Sequence, residues 1–250
     1  MKVAKILFAG ESWMSYSINT KGFNAYNIGG YGEGGKPLID ALEQMGHSVT
    51  YLRNHEAIEQ FPRTIEGLKD YDVVILSDIG SDTLLLPPDV LIGGQVRGNP
   101  LAAIKEFVNQ GGGFLMVGGY MSFAGFEGRA HYIHTPIDDI LPVNILSYDD
   151  RMEKPEGCTP KVEAGEHPIL SDIPSEWPTF LGYNKLSAKP GAEVLLSLEE
   201  DAFLTVGSFG QGRTAAFASD CSPHWGTLSF TEWASYPHFW SQLVNWLANR

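Results

Sequence analysis

The sequence predicts an α/β protein with a doubly wound, mostly parallel sheet. Three observations support this fold class: short segments that are almost wholly apolar, amphipathic helical segments between them, and the alternation of the two through the first half of the chain. In such a fold the loops that follow the parallel strands meet at the carboxyl edge of the sheet, where ligands bind. A site is therefore expected at the ends of the predicted strands.

The first half of the chain supplies the elements of this sheet. The predicted strands span 2–9, 48–52, 72–76 and 114–117, and the predicted helices span 37–45 and 100–109. Gly46 and the glycines at 111–113 mark the helix ends. Right-handed crossovers place the loops after Ala9, Leu76 and Val117 at one edge of the sheet.

The second half of the chain has frequent prolines and little helical periodicity. The predicted elements are strands at 193–197, 202–209 and 213–219 and a closing helix that carries Phe239, Leu243, Trp246 and Leu247. Glycines around Phe209 predict a hairpin between the second and third of these strands. We expect one domain over residues 1–250, with a β-rich insertion or extension at about 130–212.

Composition excludes several classes of function. A net charge of −13 argues against a nucleic-acid partner and against an anionic membrane surface. No apolar run approaches the roughly 20 residues of a membrane helix, and two cysteines are too few for a disulfide framework. We expect a cytoplasmic protein with no cofactor. His131 and His134 indicate either a solvated loop or, less simply, metal ligands, and we expect no metal.

The corner after the strand at 114–117 is crowded with small residues. In α/β enzymes a strand-to-helix corner of this kind holds the nucleophile, and only small residues fit two positions to either side of its apex. Tyr120 has Gly118 and Ser122 at those positions, so we predict Tyr120 at the apex. A phenol with a pKa of about 10 is a poor acyl acceptor.

Several segments carry a resemblance to a known family: the corner at 114–125, Glu166–Leu170, Leu181–Lys185, Lys189–Glu193, Gly210–Arg213, Ala215–Asp220 and Ser222–Trp225. On these the chain resembles the class I glutamine amidotransferase-like superfamily and is most similar to its branch related to trehalose-utilisation proteins. The resemblance implies a flavodoxin-like fold over most of the chain. It implies a reaction much less strongly than it implies the fold.

The resemblance also implies where a glutaminase would keep its catalytic groups. Active members have a cysteine at the corner, a histidine after a late strand and a glutamate two residues beyond it. The matching positions hold Tyr120, His224 and Gly226. The nucleophile and the orienting carboxylate are therefore expected to be missing, and classical glutaminase activity is not expected. His224 is either a base or a hydrogen-bonded part of the cleft wall beside Trp225.

We expect the cleft at the carboxyl edge to bind a small sugar-like or polar metabolite. The residues predicted to line it are Gly10, Glu11, Trp13, Asp78, Gly80, Tyr120, Met121, Ser122, His224 and Trp225. Glu11 and His224 are the candidate catalytic groups, for hydrolysis or isomerisation. Gly80 allows either an oxyanion hole of backbone amides or an ordinary turn.

Two long loops are predicted at 11–35 and 82–99, and the first interleaves aromatic residues with glycine. Its rings suit either stacking on a sugar or burial between subunits. The second alternative makes the chain an assembly module, as the resemblance implies for the trimerisation domain of some β-galactosidases, and we expect a homo-oligomer. A third alternative is a hydrolase that uses Ser122 or Cys221, although a buried structural thiol fits Cys221 better.

Overall fold

An eight-stranded mixed sheet forms the centre of the molecule in the computed structural model, which describes residues 3–249. In the first half of the chain the elements are β1 (Lys5–Gly10), β2 (Ser12–Lys21), β3 (Asn24–Glu33), α1 (Lys36–Gln44), β4 (Ser48–Leu52), α2 (Asn54–Gln60), α3 (Ile65–Leu68), β5 (Val73–Ser77), α4 (Ser81–Leu85), α5 (Pro88–Leu91), α6 (Pro100–Asn109) and β6 (Gly113–Val117).

The second half adds eight strands and three helices in the described residues. These are α7 (Pro136–Ile140), β7 (Val143–Asn144), β8 (Arg151–Cys158), β9 (Lys161–Val162), β10 (Phe180–Asn184), β11 (Ser187–Ala188), β12 (Glu193–Leu198), β13 (Asp201–Phe209), β14 (Gly212–Phe217), α8 (Leu228–Thr231) and α9 (Tyr236–Leu247). Short 3-10 helices lie at Phe126–Gly128 and Pro168–Leu170.

The strand order of the main sheet is β4-β1-β5-β6-β14-β13-β12-β9. The first five strands in this order are parallel, and the remaining pairs are antiparallel. The α/β prediction is confirmed. Part of the β-rich second half belongs to the main sheet. Strand β14 pairs with β6, and β13, β12 and β9 follow it in the strand order.

Helices cover both faces of this sheet. Successive positions along a strand point to opposite faces. A side chain at Gly112 would meet Phe107 of α6, whereas one at Gly113 would meet Leu247 of α9. The two helices therefore lie on opposite faces, and this is why β5 and β6 are buried along their whole length.

The prediction of a long loop at 11–35 was wrong. Strands β2 and β3 form a two-stranded antiparallel hairpin that runs in register from Ser12 and Glu33 at its base to Lys21 and Asn24 at its tip. Its many glycines and polar residues concealed the period-two pattern of Met14, Tyr16 and Ile18, which is the signal of a strand.

The segment 82–99 is also not a continuous loop. It contains most of α4 and all of α5, and residues 86–87 and 92–99 lack regular structure. The prolines that suggested a loop stand at the start of α5, where Pro88 occupies the first turn and loses no helical hydrogen bond. Within residues 3–249, none of the helices has the length and apolar character needed to cross a bilayer.

Candidate active site at the carboxyl edge of the sheet

Three carboxyl groups and one imidazole converge where β1, β5 and β14 end. Glu11 follows β1, Asp78 follows β5, and Asp220 and His224 follow β14. Glu11 and Asp78 have left-handed backbone conformations, with φ of 49° and 45°. Such conformations are costly for residues other than glycine and cluster at functional sites.

Glu11 is buried and held from several directions. Its backbone N–H donates to the Ser77 carbonyl at 3.0 Å. Its carboxylate accepts a short hydrogen bond from Ser77 Oγ and one of 3.2 Å from Ser222 Oγ. Burial first, and then the charges of Asp220 and Asp78, raise the pKa of the Glu11 carboxyl to about 8. Glu11 therefore carries a proton at neutral pH.

Asp78 faces the corner after β6. Its Oδ1 accepts a 2.7 Å hydrogen bond from the Met121 N–H, and its own N–H donates to Ser122 Oγ at 3.1 Å. Burial and the charge of Asp220 raise the pKa of the Asp78 carboxyl to about 6, against the lowering effect of the Met121 amide. Because the Asp78 amide is already paired, it is not free to serve as an oxyanion-hole donor.

The corner itself brings a glycine between two of the carboxylates. Gly119 has φ of 141°, and a Cβ at this position would lie 2.9 Å from Asp220 Oδ1 and 3.0 Å from Asp78 Oδ1. The left-handed residue thus stands one position before Tyr120. Neither Gly119 nor Tyr120 has a thiol side chain, whichever of the two is taken as the apex.

Two buried polar side chains, Asn184 and Asp150, hold the corner in place through hydrogen bonds to its backbone. Asn184, at the end of β10, accepts the Gly119 N–H at 3.0 Å and donates to the Gly119 carbonyl at 3.2 Å. It also donates to Asp150 Oδ1 at 2.8 Å, and Asp150 accepts the N–H groups of Ala124 and Gly125. The Asn184 side chain therefore satisfies the backbone N–H and carbonyl of Gly119, which lies outside the helices and strands.

His224 has an orienting carboxylate, contrary to the expectation from Gly226. Asp220 Oδ2 lies 2.8 Å from His224 Nδ1 and also accepts the Trp225 N–H at 3.0 Å. The hydrogen bond to Asp220 raises the pKa of His224, while burial acts against it. The partner comes from four residues before the histidine instead of two residues after it, so the family pattern of spacing did not reveal it.

Tyr120 forms the part of the cleft wall next to His224. Its hydroxyl donates to Glu153 Oε1 at 2.7 Å, and its ring stands edge-on to His224 with centroids 4.7 Å apart. The Trp225 indole N–H donates to the other oxygen of Glu153 at 3.0 Å. The guanidinium of Arg151 lies 4.8 Å from the Tyr120 ring centroid. Glu153 thus joins the tyrosine to the buried tryptophan.

These groups surround an open cavity of about 470 Å³. Its lining residues are Glu11, Trp13, Asp78, Tyr120, Asp220, Ser222, Pro223 and His224. A second cavity of about 390 Å³ adjoins it and shares Trp13 and Asp78. Gly80 and Met121 line this second cavity, together with Tyr31, His55 and Arg129.

The other predicted site residues lie behind the cleft. Gly10 is buried, with φ of 122°, and a Cβ there would strike the Ser77 carbonyl. Trp225 is buried and its ring stacks on that of His224 at 5.4 Å. Sequence reasoning missed Asp220 and Glu153 as site residues. The position of Asp220 after a predicted strand was a usable signal, whereas Glu153 on β8 offered none.

Ser122 and Cys221 are poorly placed for nucleophilic attack. Ser122 Oγ donates to the Val117 carbonyl at 2.6 Å and accepts the Asp78 N–H, so its hydrogen bonds tie two strand ends together. Cys221 is fully buried, as expected, and burial next to the carboxyl of Glu11 raises the pKa of its thiol well above the usual value. A thiol of this kind stays protonated and unreactive.

The two histidines considered as metal ligands, His131 and His134, are hydrogen-bonded through their backbones. The His134 N–H donates to Asp138 Oδ2 at 3.0 Å, and Asp139 pairs with Lys105 at 2.7 Å. Across residues 3–249 no group of three or more His, Cys, Asp or Glu side chains has an arrangement that could hold a metal ion.

A family model described as "Putative glutamine amidotransferase" matches residues 5–249. The chain belongs to this glutamine amidotransferase-like family. The predicted resemblance is therefore confirmed. No curated protein matches the chain.

Solved structures of similar proteins agree with this assignment. A cytoplasmic protein from Salmonella typhimurium is 41% identical, with 97% of this chain and 98% of that chain covered and a TM-score of 0.94. A second cytoplasmic protein, from Salmonella typhimurium LT2, is 42% identical over 97% and 99% of the two chains, also with a TM-score of 0.94. A ThuA-like protein from Parabacteroides merdae shares the fold at 11% identity and a TM-score of 0.58, over 99% and 90% of the chains.

Proposed function

We propose that this glutamine amidotransferase-like chain lacks glutaminase activity and binds a small, uncharged, polyhydroxylated molecule in the cleft at the carboxyl edge. One observation carries the proposal: Glu11, Asp78, Asp220 and His224 converge on a single cavity of about 470 Å³. Ligand sites are concave and combine a few convergent polar groups with apolar walls. We further propose that the protein acts in the cytoplasm, in line with the description of its two Salmonella relatives as cytoplasmic proteins.

The charges of the cleft favour an uncharged ligand. Three carboxyl groups face the cavity, and burial raises the pKa of each. A phosphate or carboxylate on the ligand would add a like charge to this site at a cost in Coulomb energy. Hydroxyl groups instead donate to carboxylates and accept from a protonated carboxyl. Trp13 and Tyr120 offer rings that stack on the apolar face of a sugar.

Glu11 and His224 have the properties of an acid and a base in this proposal. Glu11, protonated up to a pH of about 8, gives a proton to one oxygen of the ligand. His224, oriented by Asp220, takes a proton when the imidazole is neutral, from another ligand atom in an isomerisation or from the attacking water in a hydrolysis. In an isomerisation the two transfers move one hydrogen within the ligand. In a hydrolysis one ligand bond breaks, the proton from Glu11 goes to the leaving oxygen, and the hydroxyl of the water bonds to the other fragment.

Ligand titration tests the binding step. Neutral monosaccharides and polyols are compared with a sugar phosphate and an amino sugar of similar size, by thermal shift and calorimetry. A neutral ligand at 100 times its Kd should raise Tm by about 5–10 °C. Tyr120→Ala and His224→Ala should each weaken binding at least about tenfold, by loss of a wall contact or a charge-assisted hydrogen bond. His134→Ala is the matched control, since His134 lines neither cavity.

Two results would contradict the proposal. One is that no neutral polyol stabilises the wild-type protein while the phosphate does. The other is that both cleft variants bind a stabilising ligand as tightly as the His134→Ala control does.

For the catalytic step, any reaction found should follow a bell-shaped pH profile, with activity falling above a pH of about 8 as Glu11 loses its proton.

A further inference from the structure

The hairpin formed by β2 and β3, here called the hairpin arm (Ser12–Glu33), exposes an unusual amount of apolar surface. The large exposed side chains on it are Trp13, Met14, Tyr16, Ile18, Phe23, Tyr26, Ile28 and Tyr31. Tyr16 and Ile18 are 74% and 76% exposed, and Phe23 at the tip is fully exposed. Apolar patches of this kind mark interaction surfaces, because single exposed apolar residues are common but contiguous groups are not.

The arm is attached to the body only near its base, as far as the described contacts go. The Asn54 N–H donates to Ser12 Oγ at 2.8 Å, and Glu33 pairs with Arg53 at 2.6 Å. Tyr31 stands edge-on to His55 with ring centroids 5.6 Å apart. Two-stranded hairpins are marginally stable in water unless they pack on something. We therefore expect another surface to pack on the outer part of the arm.

One face of the arm carries a continuous apolar row. Register partners in an antiparallel pair share a face. Met14, Tyr16 and Ile18 alternate along β2 and so lie on one face, and Tyr31 joins them opposite Met14. Gly29 stands opposite Tyr16 and contributes no side chain, which leaves the tyrosine ring open to a partner.

We propose that a second copy of this chain covers the arm, so that the arms of two copies pack face to face across a two-fold axis. The Met14, Tyr16 and Ile18 face lies at the centre of the interface. A two-fold axis makes one surface patch meet itself, which suits a row of apolar side chains that need no complementary charge.

Charge singles out the arm as the place where two copies can meet. The chain has a net charge of −13, so two copies repel each other over most of their surfaces. Between Ser12 and Glu33 the only charged residues are Lys21 and Glu33, which lie at the tip and at the base. The rest of the arm is neutral. A basic partner would find no acidic side chain along this row to pair with.

The arm is long enough to form the centre of an interface. A stable interface takes about 20–30 residues and roughly 800 Å² from each partner. The arm has two strands of ten residues each, almost all of them exposed, and one face presents about half of these side chains, so the arm supplies the central part of such an interface. Its aromatic side chains are the type that dominates the free energy of protein–protein association.

Sedimentation velocity over a range of micromolar concentrations tests the proposal on the full chain. The wild type should sediment at twice the 27.4 kDa chain mass. Ile18→Lys places two like charges near the symmetry axis and should raise the dimer dissociation constant about 30-fold or more. Ile92→Lys is the matched control, because Ile92 is an isoleucine 85% exposed on the body, and it should leave the dimer intact.

A second variant removes the arm altogether. Ser12 and Glu33 are register partners, so an Asn-Gly turn can join them in place of residues 13–32. This variant should be monomeric, with circular dichroism that shows the α/β body retained. A monomeric wild type, polydisperse aggregates, or a dimer that survives Ile18→Lys would each overturn the proposal. So would a wild-type monomer that binds neutral phosphatidylcholine vesicles through the arm, since the occupant would then be lipid.

Discussion

The cleft and the hairpin arm both depart from the usual distribution of side chains, in which charged groups are exposed and large apolar groups are buried. The cleft buries Glu11 and Asp220, whereas the arm exposes Tyr16 and Ile18. Burying a carboxyl costs free energy unless it is paired or protonated, and exposing a large apolar side chain forgoes about 1.5–3 kcal/mol. Neither arrangement helps an isolated chain to fold. Each makes sense if something else completes it: a polar ligand in the cleft and a second chain on the arm.

The two regions also differ in how tightly they are built. Two backbone turns of the cleft are closely surrounded: Gly10 by the Ser77 carbonyl and Gly119 by the side chains of Asp78 and Asp220. The arm has open space beside its turn, where a Cβ on Gly22 would meet nothing within 4 Å. This difference predicts that equivalent substitutions will have very different costs in the two places.

The largest effect is expected for Gly10→Ala. The new Cβ would lie 1.7 Å from the Ser77 carbonyl oxygen, and φ is 122°, so β1 and β5 would have to separate. We expect a loss of about 4 kcal/mol or more in the free energy of unfolding. Gly22→Ala, with φ of 62° and no steric contact, is the control and should cost about 1–2 kcal/mol. Urea denaturation measures both, and equal costs would show that the cleft is no tighter than the arm.

The next effect concerns the pH dependence of stability. Because burial raises the pKa of Glu11 in the folded state to about 8 from its ordinary value of 4.5, the folded state binds more protons than the unfolded state between these pH values. The contribution of Glu11 to the free energy of unfolding is therefore fully present below about pH 4.5 and is lost as pH rises through about 8. Each pKa unit of difference corresponds to about 1.4 kcal/mol. Melting temperature should fall as pH rises from 5 to 9.

Glu11→Gln separates this effect from other titrations. Glutamine keeps the shape of the protonated carboxyl and cannot ionise, so the decline in Tm between pH 5 and 9 should become shallower by several degrees. Glu43→Gln, on the exposed side of α1, should leave the decline unchanged. If the Glu11→Gln slope matches the wild-type slope, the buried carboxyl does not titrate as proposed.

A smaller effect is expected on the titration of His224. Asp220→Asn removes the negative charge beside the imidazole, and the pKa of His224 should fall. The NMR titration of the His224 ring protons measures this directly. An unshifted His224 would mean that Asp220 does not orient it in solution.

The smallest effect on the stability of the single chain is expected on the arm. Ile18→Thr replaces one exposed β-branched residue by another, and at nanomolar concentration it should change stability by about 0.5 kcal/mol or less. At micromolar concentration the wild-type Tm should rise with protein concentration through dimerisation, and the variant should show a weaker rise. A wild-type Tm that is independent of concentration would remove the distinction between the two regions that pairing predicts.

Local sequence was enough to place most elements of the sheet. The strand at 48–52 and the helix at 100–109 have the predicted bounds, and β1, β5 and β6 lie within a few residues of theirs. Helix α9 contains the four residues predicted for the closing helix. These segments have a clear apolar period and sit against a covered sheet, so local pattern and tertiary environment agree. The hairpin arm failed this test because Tyr16 and Ile18, which belong to the apolar row along β2, remain largely exposed within the chain.

What the sequence by itself determined is the α/β sheet, its carboxyl edge, and the presence there of Glu11, Asp78 and His224. Only the tertiary structure decided that Asp220 partners His224, and that Glu153 links Tyr120 to Trp225. Periodicity is a property of neighbours along the chain, whereas these contacts depend on strand ends brought together by the sheet. No spacing encodes which carboxylates will be buried together in one cavity, and that burial, followed by the charges of the neighbouring carboxylates, raises the pKa values of Glu11 and Asp78.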